Sequence, residues 1–143
     1  MQSIHKSVLI GHSAQTMFDL IDGVENYPQF LPWCGGVIVH EHTDTITDAT
    51  IQIRYFGLKT QFRTRNQNRR PTHIDMHFVE GPFRSLTGTW NITPLNAQAC
   101  KIEFYLDYEF SSTTLERLIG PVFDKITTTF VDAFVKQADC IPS

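Results

Sequence analysis

The sequence predicts an α+β helix-grip: a seven-stranded, curved antiparallel sheet around a long C-terminal helix, with two short helices after the first strand. Three observations carry this. From Gly36 to Phe110 apolar and polar residues alternate with a period of two, in six segments joined by short connections. After Phe110 the spacing becomes helical, with one apolar stripe. The 143 residues leave room for one domain, residues 1–143, whose core is large enough to fold unaided. A sheet with one apolar face must be covered, and the C-terminal helix is the only long amphipathic element available to cover it.

The elements follow in order. Gln2 to Ile10 reads as a strand, broken by Gly11 and His12. Ser13 suits the N-cap of a helix to about Asp22, where Met17, Phe18, Leu20 and Ile21 recur at helical spacing and Gly23 ends it. A second short turn covers Val24 to Tyr27 before Pro28 intervenes. The six segments "VIVHEH", "ATIQIRYFG", "KTQFRTRN", "HIDMHFVE", "SLTGTWNI" and "CKIEFYLDYEF" are strands, and their short connections imply hairpins. In the last, Cys100, Ile102, Phe104, Leu106, Tyr108 and Phe110 share one face, so that face is buried and the other is wet. The final helix spans about Ser112 or Thr113 to Ala138. Pro121 fits badly mid-helix, so a kink or short turn is expected there, followed by a main segment of about 17 residues.

Composition excludes several classes. Hydrophobic residues are 41 % and charged residues 19 %, ordinary for a globular chain. No apolar run approaches the roughly 18–20 residues that span a bilayer. The N-terminus "MQSIHKSVLIGHSAQ" does not read as a signal peptide, and the expectation is a cytoplasmic protein, peripheral at most to the inner face of a membrane. Three scattered cysteines without a CxxC pair fit reduced thiols. A net charge of −3 argues against wholesale nucleic-acid binding.

One stretch stands apart. "YPQFLPWC", Tyr27 to Cys34, sets bulky apolar side chains on backbone that Pro28 and Pro32 keep from continuing as helix or central strand. Such a loop sits at one end of the sheet, near the end of the long helix. Tyr27, Phe30, Leu31 and Trp33 there either line the mouth of an apolar pocket or close the end of the core. "EGPF" reads as a tight hairpin turn that aims Phe83 toward the pocket end. Trp90, Phe104, Tyr108, Phe123, Phe130 and Phe134 form an inward aromatic stripe that lines a candidate cavity between sheet and helix.

These motifs carry a resemblance. "YPQFLPWC", "GPF" (Gly81 to Phe83), "LTGTW" ending at Trp90, "YEF" (Tyr108 to Phe110), "GPVF" (Gly120 to Phe123) and "DAF" (Asp132 to Phe134) occur in this order. The chain resembles the coenzyme Q-binding and ribosome association toxin (RatA) family of the START-like, polyketide cyclase-like superfamily, from Ile4 to Ala138. The resemblance implies the same helix-grip fold and a small non-enzymatic domain. Eukaryotic members bind ubiquinone and support respiration, and a bacterial member is described as a toxin that blocks ribosomal subunit association. Ubiquinone or a similar prenylated lipid is then the expected ligand, with the Trp90 and Tyr108 polar groups as candidate partners for a quinone carbonyl. The large ribosomal subunit is the alternative partner.

The other candidate chemistry is basic. Between Ala49 and Ile74 there is no Asp or Glu, yet the stretch holds Arg54, Lys59, Arg63, Arg65, Arg69 and Arg70, half of the twelve Lys and Arg. A hairpin gathers these on an outer face, as a contact for ribosomal RNA or anionic lipid headgroups, with transient membrane contact. No metal site is expected. His73 and His77 lie about 13 Å apart along a strand, and His40 and His42, about 6.7 Å apart, lack a third ligand. No catalytic residue is assigned: nucleophile, phosphate-loop and HExxH motifs are missing, and Asp107 and Glu109 sit on the wet face of the last strand.

Overall fold

The structure, a computed structural model, describes residues 1–141. Strand β1 (Gln2–Ile10) leads to helix α1 (Ala14–Asp22), whose N-cap Ser13 accepts a hydrogen bond from the Thr16 amide. A 3-10 turn (Val24–Asn26) and helix α2 (Tyr27–Phe30) follow. Then come β2 (Cys34–His42), β3 (Ile46–Tyr55), β4 (Leu58–Arg69), β5 (His73–Glu80), β6 (Phe83–Asn96), β7 (Ala99–Phe110) and helix α3 (Thr113–Asp139). The seven strands form one antiparallel sheet in the order β1-β7-β6-β5-β4-β3-β2.

That order positions the site. Strands β1 and β2 are neighbours in sequence but occupy opposite edges of the sheet. The chain between them must cross one end of the sheet, and it carries α1, the 3-10 turn and α2 with it. Helix α1 packs on α3, β6 and β7, while α2 packs on β2. Helix α3 supplies Ile119, Phe123, Ile126, Val131, Phe134 and Ala138 to the core, against Ile53, Ile74, Trp90, Ile102 and Phe104 of the sheet. The inward face of β7, Cys100 through Phe110 at alternate positions, is buried as its alternation predicts.

Two expectations are corrected. First, α3 is one helix of 27 residues that runs through Pro121, not a turn followed by a main segment. Pro121 is exposed, so water can take the Arg117 carbonyl that the missing amide leaves free, while buried Ile119 and Phe123 hold both sides to the sheet. Ser112 caps this helix through its hydroxyl, which accepts from the Leu115 amide.

Second, Tyr27–Cys34 is regular. Pro28 lies in the first turn of α2, where an amide has no intrahelical partner to lose. The Leu31 amide donates to the Tyr27 carbonyl, and the Cys34 amide donates to the Leu31 carbonyl across a turn with Pro32 at its second position. Both prolines fall where helix and turn accept them.

Gly81, in the β5–β6 connection, has φ +146°, and a Cβ there would lie 2.8 Å from Phe62 Cβ. The ring of Phe62 meets that of Phe83 edge-on, with centroids 6.1 Å apart. All three cysteines are free.

Candidate ligand-binding site

The predicted aromatic residues come together in two adjoining clusters. At the end crossed by α2, Tyr27 and Phe30 each meet Phe134 with ring centroids 5.5 Å apart, Trp33 meets Phe130 at 6.0 Å, and Trp90 meets Phe104 at 4.3 Å and Phe130 at 5.8 Å. Leu31 is buried beside them. Toward the N-terminal end of α3, Phe83 packs on Phe110 at 5.0 Å and Phe123 at 4.9 Å, and Tyr108 meets Phe123 at 4.8 Å.

Between sheet and α3 the packing leaves two interior cavities of about 40 Å³ each. Trp33, Phe62, Met76 and Phe130 border both. The first cavity adds Tyr27, Trp90, Ile74, Ile51, Thr64 and Asn66, among others. The second adds Phe104, Leu86, Leu106, Phe123, Ile126 and Thr127. Of the predicted ligand residues, Tyr27, Trp33, Trp90, Phe104, Phe123 and Phe130 line these spaces. Phe83 and Phe134 lie behind the lining, and Tyr108 borders an outer cleft with Phe110 and Glu116. Sequence reasoning missed Phe62 and Met76, whose alternation on β4 and β5 does place them inward, and it missed Asn66.

Asn66 brings the one amide side chain to a largely apolar wall. Its Oδ1 is buried and accepts no hydrogen bond among the described residues. An unmatched buried amide oxygen is costly, so such groups are rare in folded proteins. The lining of both cavities carries no carboxylate, imidazole, thiol or amine. The Tyr27 hydroxyl is turned away, donating to the Ile21 carbonyl, and its burial first, with nearby Asp22, pushes its pKa far up.

Trp33 separates this interior from the surface. It is 7 % exposed and also borders an outer groove of about 360 Å³, formed by Phe30, Leu31 and Pro32 with Thr129, Ala133 and Lys136 of α3 and Cys140 just after it. One indole therefore faces a surface groove on one side and both cavities on the other. Phe30 and Leu31 line the outer groove, and Trp33 stands between that groove and the cavities.

A polar network, unforeseen from sequence, fastens this crossing segment to the far edge of the sheet. Asp22, 4 % exposed, accepts from Thr47 Oγ1 at 2.5 Å and Asn68 Nδ2 at 3.2 Å through one oxygen. Its other oxygen receives Arg70 Nη2 at 2.8 Å and lies 3.1 Å from His42 Nε2. His42 Nδ1 lies 2.5 Å from Glu25. Burial works against the charged imidazole, but the hydrogen bonds to Asp22 and Glu25 outweigh it and raise the His42 pKa above its ordinary value.

The basic face needs correction. Arg63 forks onto buried Asp48, Nε to Oδ1 at 2.7 Å and Nη2 to Oδ2 at 3.0 Å. Arg65 binds Asp48 and Glu41, each at 3.1 Å. The Arg63 hydrogen bond, against the cost of burial, holds the Asp48 carboxyl below its usual range. Arg70 turns toward α1, pairing with Asp19 and Asp22 over the Phe18 ring, and leaves the outer face. Glu41 and Asp48 precede the acid-free stretch in sequence, and strand pairing brings them beside it. Among the described residues only Arg54, Lys59 and Arg69 of the predicted six make no ion pair.

His40 and His42 do not share a face. The bulge between Val39 and Glu41 sends His40 to Thr50 and His42 to Asp22. Asp107 accepts from Ser3, and Glu109 lies near Arg84, both away from the cavities.

A family profile described as polyketide cyclase / dehydrase and lipid transport matches residues 10–135. The chain belongs to that family. The ribosome association toxin RatA of Vibrio cholerae serotype O1 is 38 % identical over 138 residues, covering 96 % of each chain, which bears out the resemblance read from the motifs. A coenzyme Q-binding protein COQ10 homolog B, mitochondrial, from Xenopus laevis is 26 % identical over 142 residues, covering 93 % of this chain and 56 % of that protein. The Zhui aromatase/cyclase from Streptomyces sp. R1128 superposes with a TM-score of 0.83 over 96 % of this chain and 93 % of its own, at 13 % identity, and shares the fold. No helix among the described residues is long and apolar enough to cross a membrane.

Proposed function

We propose that this protein is a non-enzymatic binding module that holds a prenylated quinone, ubiquinone or a close analogue, between its sheet and α3, in support of respiration. The observation that carries this reading is the interior apolar space with one unmatched polar atom, Asn66 Oδ1, behind a tryptophan at a surface groove. An amide suits both redox forms: its oxygen accepts from a quinol hydroxyl and, turned over, its NH₂ donates to a quinone carbonyl. The two cavities are far below the roughly 150 Å³ that accepts benzene in an apolar core, so Trp33 and Phe130 must move apart for the ligand to enter. The absence of acid–base groups from the lining supports binding over catalysis.

Both tryptophans of the chain border the same cavity, which gives the test. Titration with a short-tailed ubiquinone is expected to quench intrinsic fluorescence to a one-to-one end point. Asn66→Leu is expected to weaken that binding about tenfold while raising the stability of the empty protein, because it removes an unsatisfied buried group. Quenching without saturation, or equal affinity in Asn66→Leu, counts against the assignment.

A second reading, association with the large ribosomal subunit through the basic face, is supported by the name of the 38 %-identical relative. It predicts salt-sensitive subunit binding that survives Asn66→Leu and is lost on Arg54→Glu with Lys59→Glu.

A further inference from the structure

The β3–β4 hairpin ends in a residue that the fold does not call for. Tyr55 pairs with Leu58 across a two-residue turn in which Phe56 has φ +47° and Gly57 φ +82°. Positive φ at both positions favours Asn-Gly or Gly-Gly, and a bulky side chain there is disfavoured by the backbone. Phe56 is nonetheless 91 % exposed, touching little beyond Tyr55, at a centroid distance of 4.5 Å. Backbone strain and an exposed phenyl ring both disfavour the isolated protein.

The surroundings of this ring are cationic. Arg54 and Lys59 face each other across the strand pair just behind it, both exposed and neither in an ion pair among the described residues. Lys125 of α3 lies over the Tyr55 ring at 5.8 Å. The tip also adjoins the gate: the Arg54 amide donates to the Trp33 carbonyl at 2.9 Å, and Thr129, one helical turn beyond Lys125, borders the outer groove.

We propose that this hairpin tip is a membrane-surface anchor: Phe56 enters the headgroup–acyl boundary of an anionic bilayer, and Arg54, Lys59 and Lys125 engage the lipid phosphates, seating the Trp33 groove against the membrane. A ring ahead of a collar of cations matches the order of layers met on entering a bilayer. RNA would also accept cations and a stacking ring, but base recognition calls for matched donors and acceptors beside the ring, and the tip offers the donors of Arg54 and Lys59 with only the Tyr55 hydroxyl able to accept.

The test is co-sedimentation of the full chain with quinone-free phosphatidylcholine vesicles, with and without phosphatidylglycerol. Binding is expected only to the anionic vesicles and is expected to fall with salt. Phe56→Gly, which suits the turn and preserves the fold, is expected to weaken it at least about fivefold, as is Arg54→Glu with Lys59→Glu. In Phe56→Trp, quenching of the new indole by brominated lipid places the ring in the bilayer. Vesicle binding unchanged by Phe56→Gly overturns the proposal. So does absence of vesicle binding alongside RNA binding that Phe56→Gly abolishes. Because the vesicles carry no quinone, this result stands or falls separately from the fluorescence titration.

Discussion

Asp22 and His42 show how far single residues act from their place in sequence. Asp22 ends α1, yet it is held by Thr47, Asn68, Arg70 and His42 of the β2–β4 edge. The raised His42 pKa gives this clasp a pH dependence. Its contribution to stability is fully present below about 6.5, the unfolded value, and is lost as pH rises through the higher folded value. The groups facing the imidazole are Asp22 and Glu25, with Arg70 on the same Asp22 carboxylate. Urea midpoints at pH 6 and pH 9 are therefore expected to differ more in the native protein than in His42→Gln. An equal difference in both would place the pH effect elsewhere. None of this was legible in the sequence, because the partners lie on three strands, two turns and one helix and share no periodicity. Tyr27, Trp33, Trp90 and Phe130 were legible, because large aromatics on an alternating strand, a helical stripe or a proline-bounded turn have few places to go but inward.

At the level of elements, alternation and capping residues were sufficient guides, and local irregularities were not. Ser13 and Ser112 cap where their sequence context places them. β5 begins and ends where its pattern does, whereas β4 and β6 extend into segments that Asn and Pro mark as connections. The β2 bulge is invisible to a count by twos, and it parts His40 from His42. Pro121 misled in the other direction: it removes one helical hydrogen bond but is outweighed by the packing on either side. Replacing it tests that balance. Pro121→Ala restores an amide donor for the Arg117 carbonyl, and thermal unfolding is expected to shift upward, by about 1–2 kcal/mol after the loss of proline's restraint on the unfolded chain. A drop would mean that the ring itself packs favourably.

For the whole molecule, the sequence carried the sheet, its covering helix and an enclosed aromatic interior. It did not carry the strand order, which sets β1 and β2 at opposite edges and so decides what the intervening helices cover. Nor did it carry the distribution of charge, since Asp48 and Glu41 neutralise two arginines that look unopposed along the chain. Charge reversals should therefore divide. Arg63→Glu sets a like charge against buried Asp48 and is expected to lower the urea midpoint clearly, while Arg54→Glu should stay within about 0.5 kcal/mol. Loss of a partner in Arg63→Glu is consequently ambiguous between a lost contact and a lost fold, and the Arg54 and Lys59 variants are the sound reporters. The near-closed interior also has a kinetic meaning. A ligand that waits for Trp33 to swing aside meets a first-order step, so its observed uptake rate levels off at the opening rate however much ligand is supplied. Its escape is governed by that same step, and residence time is then set by the door as much as by the room behind it.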